Sequence, residues 1–430
     1  MQTPSVAPRL LGLNPSLVRR ATLVLSVYLA VMLIAVLYHF LQSRAEGQAG
    51  YDFRYFWVAG RVWLEGLSPY GPDLPRLSAE MIPEGHVPRI WPYPPTLWLP
   101  TAFPALFPFE TAWRIWLGLH GVAMILASAV IAVGLPALRI SLGAGREFAV
   151  PRPLFFALHL GLMAYGEANL LSANSGQVTG LLYLGAAVMM VGLYHDRDKT
   201  AIVGLTILLM KPHIGAAVAL GLLISGARGR RLVLWAAVAS VVLMLPALAI
   251  APTAIFDWLR GLARYDGENS ANLPEAMTGL RNLLWEFGGL TLGNLAASLA
   301  GLAVSGVIAV WLCRKDRRGE APLTDEGRLT RLSAAMILAA LAAAPLHLYD
   351  FVLLGVALPL LPLLAPTRVC AALIAILMLT RPCYLHVQVT GELPTQIFVG
   401  STFATLGAAV LLAVLLVPAP VAGLRRPAPL

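Results

Sequence analysis

Residues 200–226 read TAIVGLTILLMKPHIGAAVALGLLISG, and how this stretch is threaded decides the fold. Its only charged residue is Lys211, in the run Lys211-Pro212-His213. Basic loops bound both ends, Arg197 and Lys199 before it and Arg228, Arg230 and Arg231 after it. Cytoplasmic loops of membrane proteins carry excess Lys and Arg, so a single crossing would strand one basic loop on the far side. Proline disfavours helix at the residue before it, and broken helices at membrane depth are tolerated where they line a cavity. The stretch therefore reads as a re-entrant pair of short helices, broken at Lys211-Pro212-His213, that enters and returns on the same side.

The rest of the chain asks for the same solvent. Its 430 residues are 58% hydrophobic and 12% charged, and the mean hydropathy is +0.75. A soluble domain of this length needs far more polar surface, so the composition implies an all-α polytopic membrane protein. Apolar runs place spans at about 21–41, 112–137, 153–171, 177–195, 231–251, 291–313, 330–346, 350–366, 369–384 and 397–418. The first is too long for a signal-peptide core and no small-residue cleavage site follows it, so it reads as a retained span. With both termini cytoplasmic and ten spans, every arginine cluster falls on one side. This divides the chain into a cytoplasmic segment 1–20, one membrane domain 21–418 and a cytoplasmic tail 419–430. The net charge of +9 is almost entirely arginine, since Lys199, Lys211 and Lys315 are the only lysines. Loop anchoring against anionic lipid explains it better than nucleic-acid binding. Cys313, Cys370 and Cys383 have no metal-ligand spacing and read as core fillers.

Two longer segments then lie outside, about 42–110 and 252–290. In the first, Phe53, Phe56, Trp57, Gly60, Trp63, Leu64 and Leu67 recur at helical spacing, with Arg54, Arg61 and Glu65 on another face. The pattern predicts an amphipathic helix in the interface plane, stopping before Gly66-Leu67-Ser68-Pro69-Tyr70. Trp91-Pro92-Tyr93-Pro94-Pro95 excludes regular helix and returns the chain to the membrane.

A few polar residues stand out against this background. Asp52, in Tyr51-Asp52-Phe53-Arg54, reads either as the N-cap of the amphipathic helix or as a general base for a hydroxyl acceptor. Lys211 is either a snorkelling lysine or a phosphate ligand, which His213 could join. His347 and Asp350 form either an interfacial turn, with Asp350 capping the next helix, or a pair that binds and orients a donor phosphate. Asn174-Ser175-Gly176-Gln177 is a tight outer turn, with Gln177 a candidate for sugar contacts. Tyr265, Asp266, Glu268 and Asn269 suit a solvated loop better than an acceptor site. There is no dinucleotide fingerprint, Walker A loop, HExxH or GxSxG, which removes support from nucleotide-driven transport and metalloprotease chemistry.

Asp52-Phe53-Arg54-Tyr55-Phe56, Ser68-Pro69-Tyr70, Tyr93-Pro94-Pro95, Gly176-Gln177, Lys211-Pro212 and Pro345-Leu346-His347 occur in that order. The succession resembles glycosyltransferase family 87, which contains bacterial polyprenyl-phosphate-mannose-dependent α-1,2-mannosyltransferases and related arabinofuranosyltransferases. The resemblance implies a GT-C membrane bundle, with Asp52 as catalytic base and Lys211, His347 and His213 at the donor phosphate. Arg54, Tyr55, Tyr93, Gln177 and Asp350 are the corresponding candidates for holding substrates. It further implies a single inverting displacement without cofactor or obligatory divalent metal. The donor would be a polyprenyl-phosphate hexose (mannose first) or pentose, and the acceptor a glycolipid or glycan. The location would be the bacterial inner membrane, with the site on the external side. Tyr349 and Phe351 depart from the family's late segment, which leaves the donor sugar open. A secondary transporter or lipid flippase is the rival reading, since ten spans with a broken helix could also alternate access. A non-catalytic scaffold, with Asp52 only a cap, is a third.

Overall fold

A computed structural model describes residues 50–81, 89–135, 139–143, 146–164, 166–265, 272–317, 325–363 and 396–416, with isolated positions in 20–27 and 371–379. The segments 1–20 and 419–430 and the spans expected at 21–41 and 369–384 lie almost wholly outside the described residues. The described chain is helical apart from one feature. The helices are α1 (Tyr51–Leu64), α2 (Asp73–Met81), α3 (Trp98–Ala105), α4 (Phe109–Gly134), α5 (Arg152–Ala164), α6 (Glu167–Ser175), α7 (Thr179–Tyr194) and α8 (Asp198–Leu209). They continue as α9 (Pro212–Ser225), α10 (Ala227–Ile250), α11 (Ala254–Arg264), α12 (Leu280–Gly288), α13 (Asn294–Arg317), α14 (Asp325–Ala343) and α15 (Gln396–Leu416).

The exception is one short element beside the helices, and the described residues otherwise bear out the expected helical membrane protein. The arginine-bearing loop after α4 forms an antiparallel hairpin, β1 (Arg139–Gly143) with β2 (Arg146–Ala149), pairing Ile140 with Phe148 and Ser141 with Glu147. The first strand alternates polar and apolar residues, Arg139-Ile140-Ser141-Leu142, a two-residue rather than a helical period, and the sequence between the strands is rich in glycine.

The decisive stretch folds as its sequence requires. Helix α8 ends at Leu209 and α9 begins at Pro212, where the fixed proline φ suits a first helical position. At 12 and 14 residues the two helices are about 18 and 21 Å long, too short to cross a hydrocarbon core of about 30 Å. Their outer ends meet. Asp198 at the start of α8 accepts Arg228 Nε at 2.9 Å and Arg231 at 2.6 Å from the start of α10, and Asp196 pairs with Arg228 at 2.7 Å. The pair therefore leaves and returns to one place, with Lys211 at its tip. Helix α8 also packs tightly on α7, where a Cβ on Gly204 would run into the backbone of Met189. Such small-residue contacts let membrane helices approach closely.

Three described helices are long and apolar enough to span a bilayer: Phe109–Gly134, Ala227–Ile250 and Asn294–Lys315. The pair Arg152–Ala164 and Glu167–Ser175, bent by 60°, would make a fourth. Only 17% of the apolar window of α10 and 28% of that of α13 is buried within the protein. Leu234, Trp235, Val241, Leu295 and Val307 face outward, a surface that suits lipid and not water. The run expected as a span at 330–346 is α14, whose Ala334–Leu341 stretch is entirely enclosed by protein. The run expected at 350–366 is 3-10 helix over Leu348–Leu363, where Pro359 and Pro362 remove two of the donors an α-helix needs.

The expected interfacial helix, α1, forms and stops where predicted. Leu67 N–H donates to the Val62 carbonyl and Gly66 N–H to that of Trp63, with Gly66 left-handed at φ 72°. It does not lie on a surface, however. Phe53, Phe56, Val58, Ala59 and Val62 are fully buried, and Arg61 reaches the Ala105 carbonyl at 3.4 Å. Aromatic residues on more than one side of α1 require more than one wall, which α3 and α4 supply.

Candidate active site

The site is assembled where α1 meets the α6–α7 turn. Gly50, at φ 70°, is the N-cap of α1 and makes no side-chain cap; its N–H donates to the Asn174 carbonyl at 2.7 Å. Asp52 is thereby not the cap. It stands in the first turn, where the helix dipole favours a negative charge. Gln177 Nε2 donates to Asp52 Oδ2 at 2.7 Å, and Tyr93 Oη donates to Gln177 Oε1 at 3.0 Å. Tyr70 Oη in turn donates to the Tyr93 carbonyl at 2.7 Å.

The turn itself is fixed from behind. Gly176 is left-handed at φ 80°, and a Cβ there would lie 2.5 Å from Phe53 Cβ and 2.7 Å from Trp113. Trp116 Nε1 donates to the Gly176 carbonyl at 2.8 Å. His120 and Asn169, both buried, hydrogen-bond at 2.8 Å, and Asn169 Nδ2 ties back to the Ala164 carbonyl at 2.8 Å. Rigid aromatic packing around Phe53 thus sets the distance between two residues 125 apart in sequence.

Asp52 opens on a cavity of about 70 Å³, lined also by Tyr55, Pro92, Tyr93, Gln177, Tyr265, Asn272, His347 and Tyr349. Burial raises the Asp52 carboxyl above its ordinary value. The hydrogen bonds from Gln177 and Ser175 and the Lys211 charge pull it back, and the Asp350 charge pushes it up. The carboxylate has one oxygen held by Gln177 and a basicity greater than a solvent-exposed aspartate, as a proton acceptor needs.

Behind this wall sits an ion pair. Lys211 Nζ, from the tip of the re-entrant pair, contacts both Asp350 oxygens at 2.6 and 2.7 Å. Lys211 is 8% exposed and Asp350 0%. The ammonium lies 4.9 Å from the centre of the Tyr349 ring, whose other surroundings include His347, with ring centres 5.1 Å apart. Tyr349 and His347 line the cavity; Lys211 and Asp350 do not.

Of the residues singled out from sequence, Asp52, Tyr55, Tyr93, Gln177 and His347 converge on the cavity. Asp350 does not touch it, and is the buried counter-ion of Lys211. It also accepts the His347 backbone N–H at 3.2 Å, so it ties the turn backward and does not cap the following helix. His213, one turn-residue beyond Pro212, is half-buried and not part of the lining. Arg54 lies 5.8 Å from the centre of the Phe109 ring, away from the cavity; a helical residue two positions from Asp52 points roughly 200° away from it. Tyr265 is a wall and not solvated loop, while Asp266, Glu268 and Asn269 lie outside the described residues. Asn272 and Tyr349 join the lining; Asn272 carried no signal of its own in the sequence, and Tyr349 only that of a departure from the family's late segment. Among the described residues no three His, Cys, Asp or Glu side chains converge as metal ligands.

A model of glycosyltransferase family 87 matches residues 91–338, more than half of the chain. The matched region holds Tyr93, Gln177 and Lys211, while Asp52, His347 and Asp350 fall outside it and are joined to it by the contacts above. No curated protein matches the chain.

Proposed function

This chain belongs to glycosyltransferase family 87, and on that footing we propose that the Asp52 cavity moves a sugar from a polyprenyl-phosphate donor to a hydroxyl of a glycolipid or glycan. The observation that carries this reading is the Asp52 carboxylate, held by Gln177 on one oxygen and lining one polar cavity together with His347. The other oxygen takes the acceptor's hydroxyl proton as the acceptor oxygen bonds to the anomeric carbon. The bond from that carbon to the phosphate oxygen breaks, and the electron pair leaves with the polyprenyl phosphate. Attack opposite the leaving group inverts the centre.

In this reading His347, which lines the cavity, turns a ring N–H to the departing phosphate. Lys211 acts at longer range, since Asp350 already engages its ammonium. Hexose, mannose first, and pentose both fit this chemistry. The arginine distribution supports a ten-span topology with cytoplasmic termini, and so a site on the external face of a bacterial inner membrane.

The test is to incubate purified protein with radiolabelled polyprenyl-phosphate mannose or arabinose and a membrane lipid extract. Label should pass to a lipid or glycan product with inverted configuration. Transfer only from a nucleotide sugar would reject the donor assignment.

A further inference from the structure

Helix α11 (Ala254–Arg264) has two faces, and only the inner one is accounted for by protein. On that side Ala254 is fully buried, Trp258 Nε1 donates to the Pro92 carbonyl at 2.9 Å, and Gly261 faces Ile90. On the outer side Phe256 is 65% exposed and Leu259 50%, and the exposed Arg260 and Arg264 border them on one side, Arg260 also pairing with Asp257 at 3.0 Å. The helix follows α10 after three residues, Ala251-Pro252-Thr253. A spanning helix ends at the membrane surface, so its successor begins there. The neighbouring α3 carries an outward apolar stripe as well, Leu99, Phe103 and Leu106, and is fastened to the same end of α10 by Trp98 Nε1 donating to the Leu243 carbonyl at 2.7 Å.

We propose that α11 is an interfacial helix: Phe256 and Leu259 insert into the outer leaflet, and Arg260 and Arg264 bind phosphates of anionic lipid. An apolar arc with arginines along one border, lying at the end of a span, is the chemistry of a lipid surface and not of a soluble partner. The site and the leaflet are thereby coupled, because the middle of the helix and the residue after its C-terminal end both reach the cavity wall. Trp258 holds Pro92, and Tyr265 follows directly after Arg264. A lipid-linked substrate would meet the cavity across this helix. That last consequence rests on the function proposed above; the placement of α11 does not.

The test needs no transfer activity. Nitroxide labels are placed singly at F256C, L259C and D257C in full-length protein whose three native cysteines are replaced by alanine, reconstituted in nanodiscs containing anionic lipid. Labels at 256 and 259 should be more accessible to oxygen than to a water-soluble nickel relaxant, and the label at 257 the reverse. Greater nickel access at 256 and 259 overturns the proposal, as does exclusion of both relaxants, which would mean a protein partner. Hydrogen exchange over 254–264 in the unmodified chain provides a second reading should the cysteine-free protein misfold. Exchange should slow about tenfold on adding anionic lipid and respond little in R260Q/R264Q; indifference of the unmodified chain to lipid charge would sink the arginine assignment.

Discussion

Replacing Asp52 by asparagine separates catalysis from architecture because the two residues are nearly isosteric. Asparagine keeps an oxygen that can accept the 2.7 Å hydrogen bond from Gln177, so the α1–turn contact survives. What disappears is the proton acceptor. Loss of a positioned general base lowers rate by about 10²–10⁴-fold, or roughly 3–5 kcal/mol of barrier. Stability should move the other way. Burial raises the carboxyl's folded pKa above its unfolded value, so its protonation favours the fold. That contribution is complete below the ordinary carboxylate range and is lost as pH rises through the elevated folded value. As the pH rises through that value Asp52 gives progressively less support of this kind, and D52N should melt at or above the parental temperature toward neutral pH. Its acid stability profile should also be flatter. The assay is initial-rate transfer from labelled donor in proteoliposomes, alongside thermal melts of the same preparations from pH 4 to pH 8. Transfer by D52N within threefold of the parent would refute the general-base role. A lower melting temperature at neutral pH would refute the electrostatic account of the site.

Three further outcomes follow from the same geometry. Gln177→Ala removes the hydrogen bond that stabilises ionised Asp52, so the acid limb of the transfer profile should shift to higher pH with a lower plateau; an unmoved limb would detach Gln177 from the base. Lys211→Ala strands the fully buried Asp350 and should destabilise by about 3–5 kcal/mol, whereas K211M/D350L should regain much of that loss in a melt, and equal melts would show the pair is not coupled. Gly176→Ala must place a methyl against Phe53 and Trp113 at a left-handed φ, at about 1–3 kcal/mol, and should depress transfer beyond its effect on melting because the turn carrying Gln177 is displaced.

Much of this protein is local and was therefore readable in order along the chain. The apolar runs at 109–134, 227–250 and 294–315 announce helices for lipid, and Pro212 announces the break that places Lys211 at a tip. Gly66 announces the end of α1, because only a residue free of a Cβ takes φ 72° without strain. The resemblance drawn from dispersed motifs is matched by the family model over 91–338. The hairpin of Arg139–Gly143 with Arg146–Ala149 was not legible, because its second strand lacks a two-residue period and its arginines read as loop anchors.

Partners were not legible, because a side chain's direction depends on what packs behind its backbone. From the sequence alone came a membrane helix bundle, a helix break before Pro212 and a carboxylate beside aromatics. Tertiary packing decided that α1 is buried, that Asp350 neutralises Lys211, and that Arg54 turns toward Phe109. It also drew Tyr265, Asn272 and Tyr349 into one wall with Asp52. Periodicity is set by neighbours along the chain and survives in any reading of it. A charge buried among distant segments finds its counter-ion only when those segments close around it, and desolvation makes that choice binding.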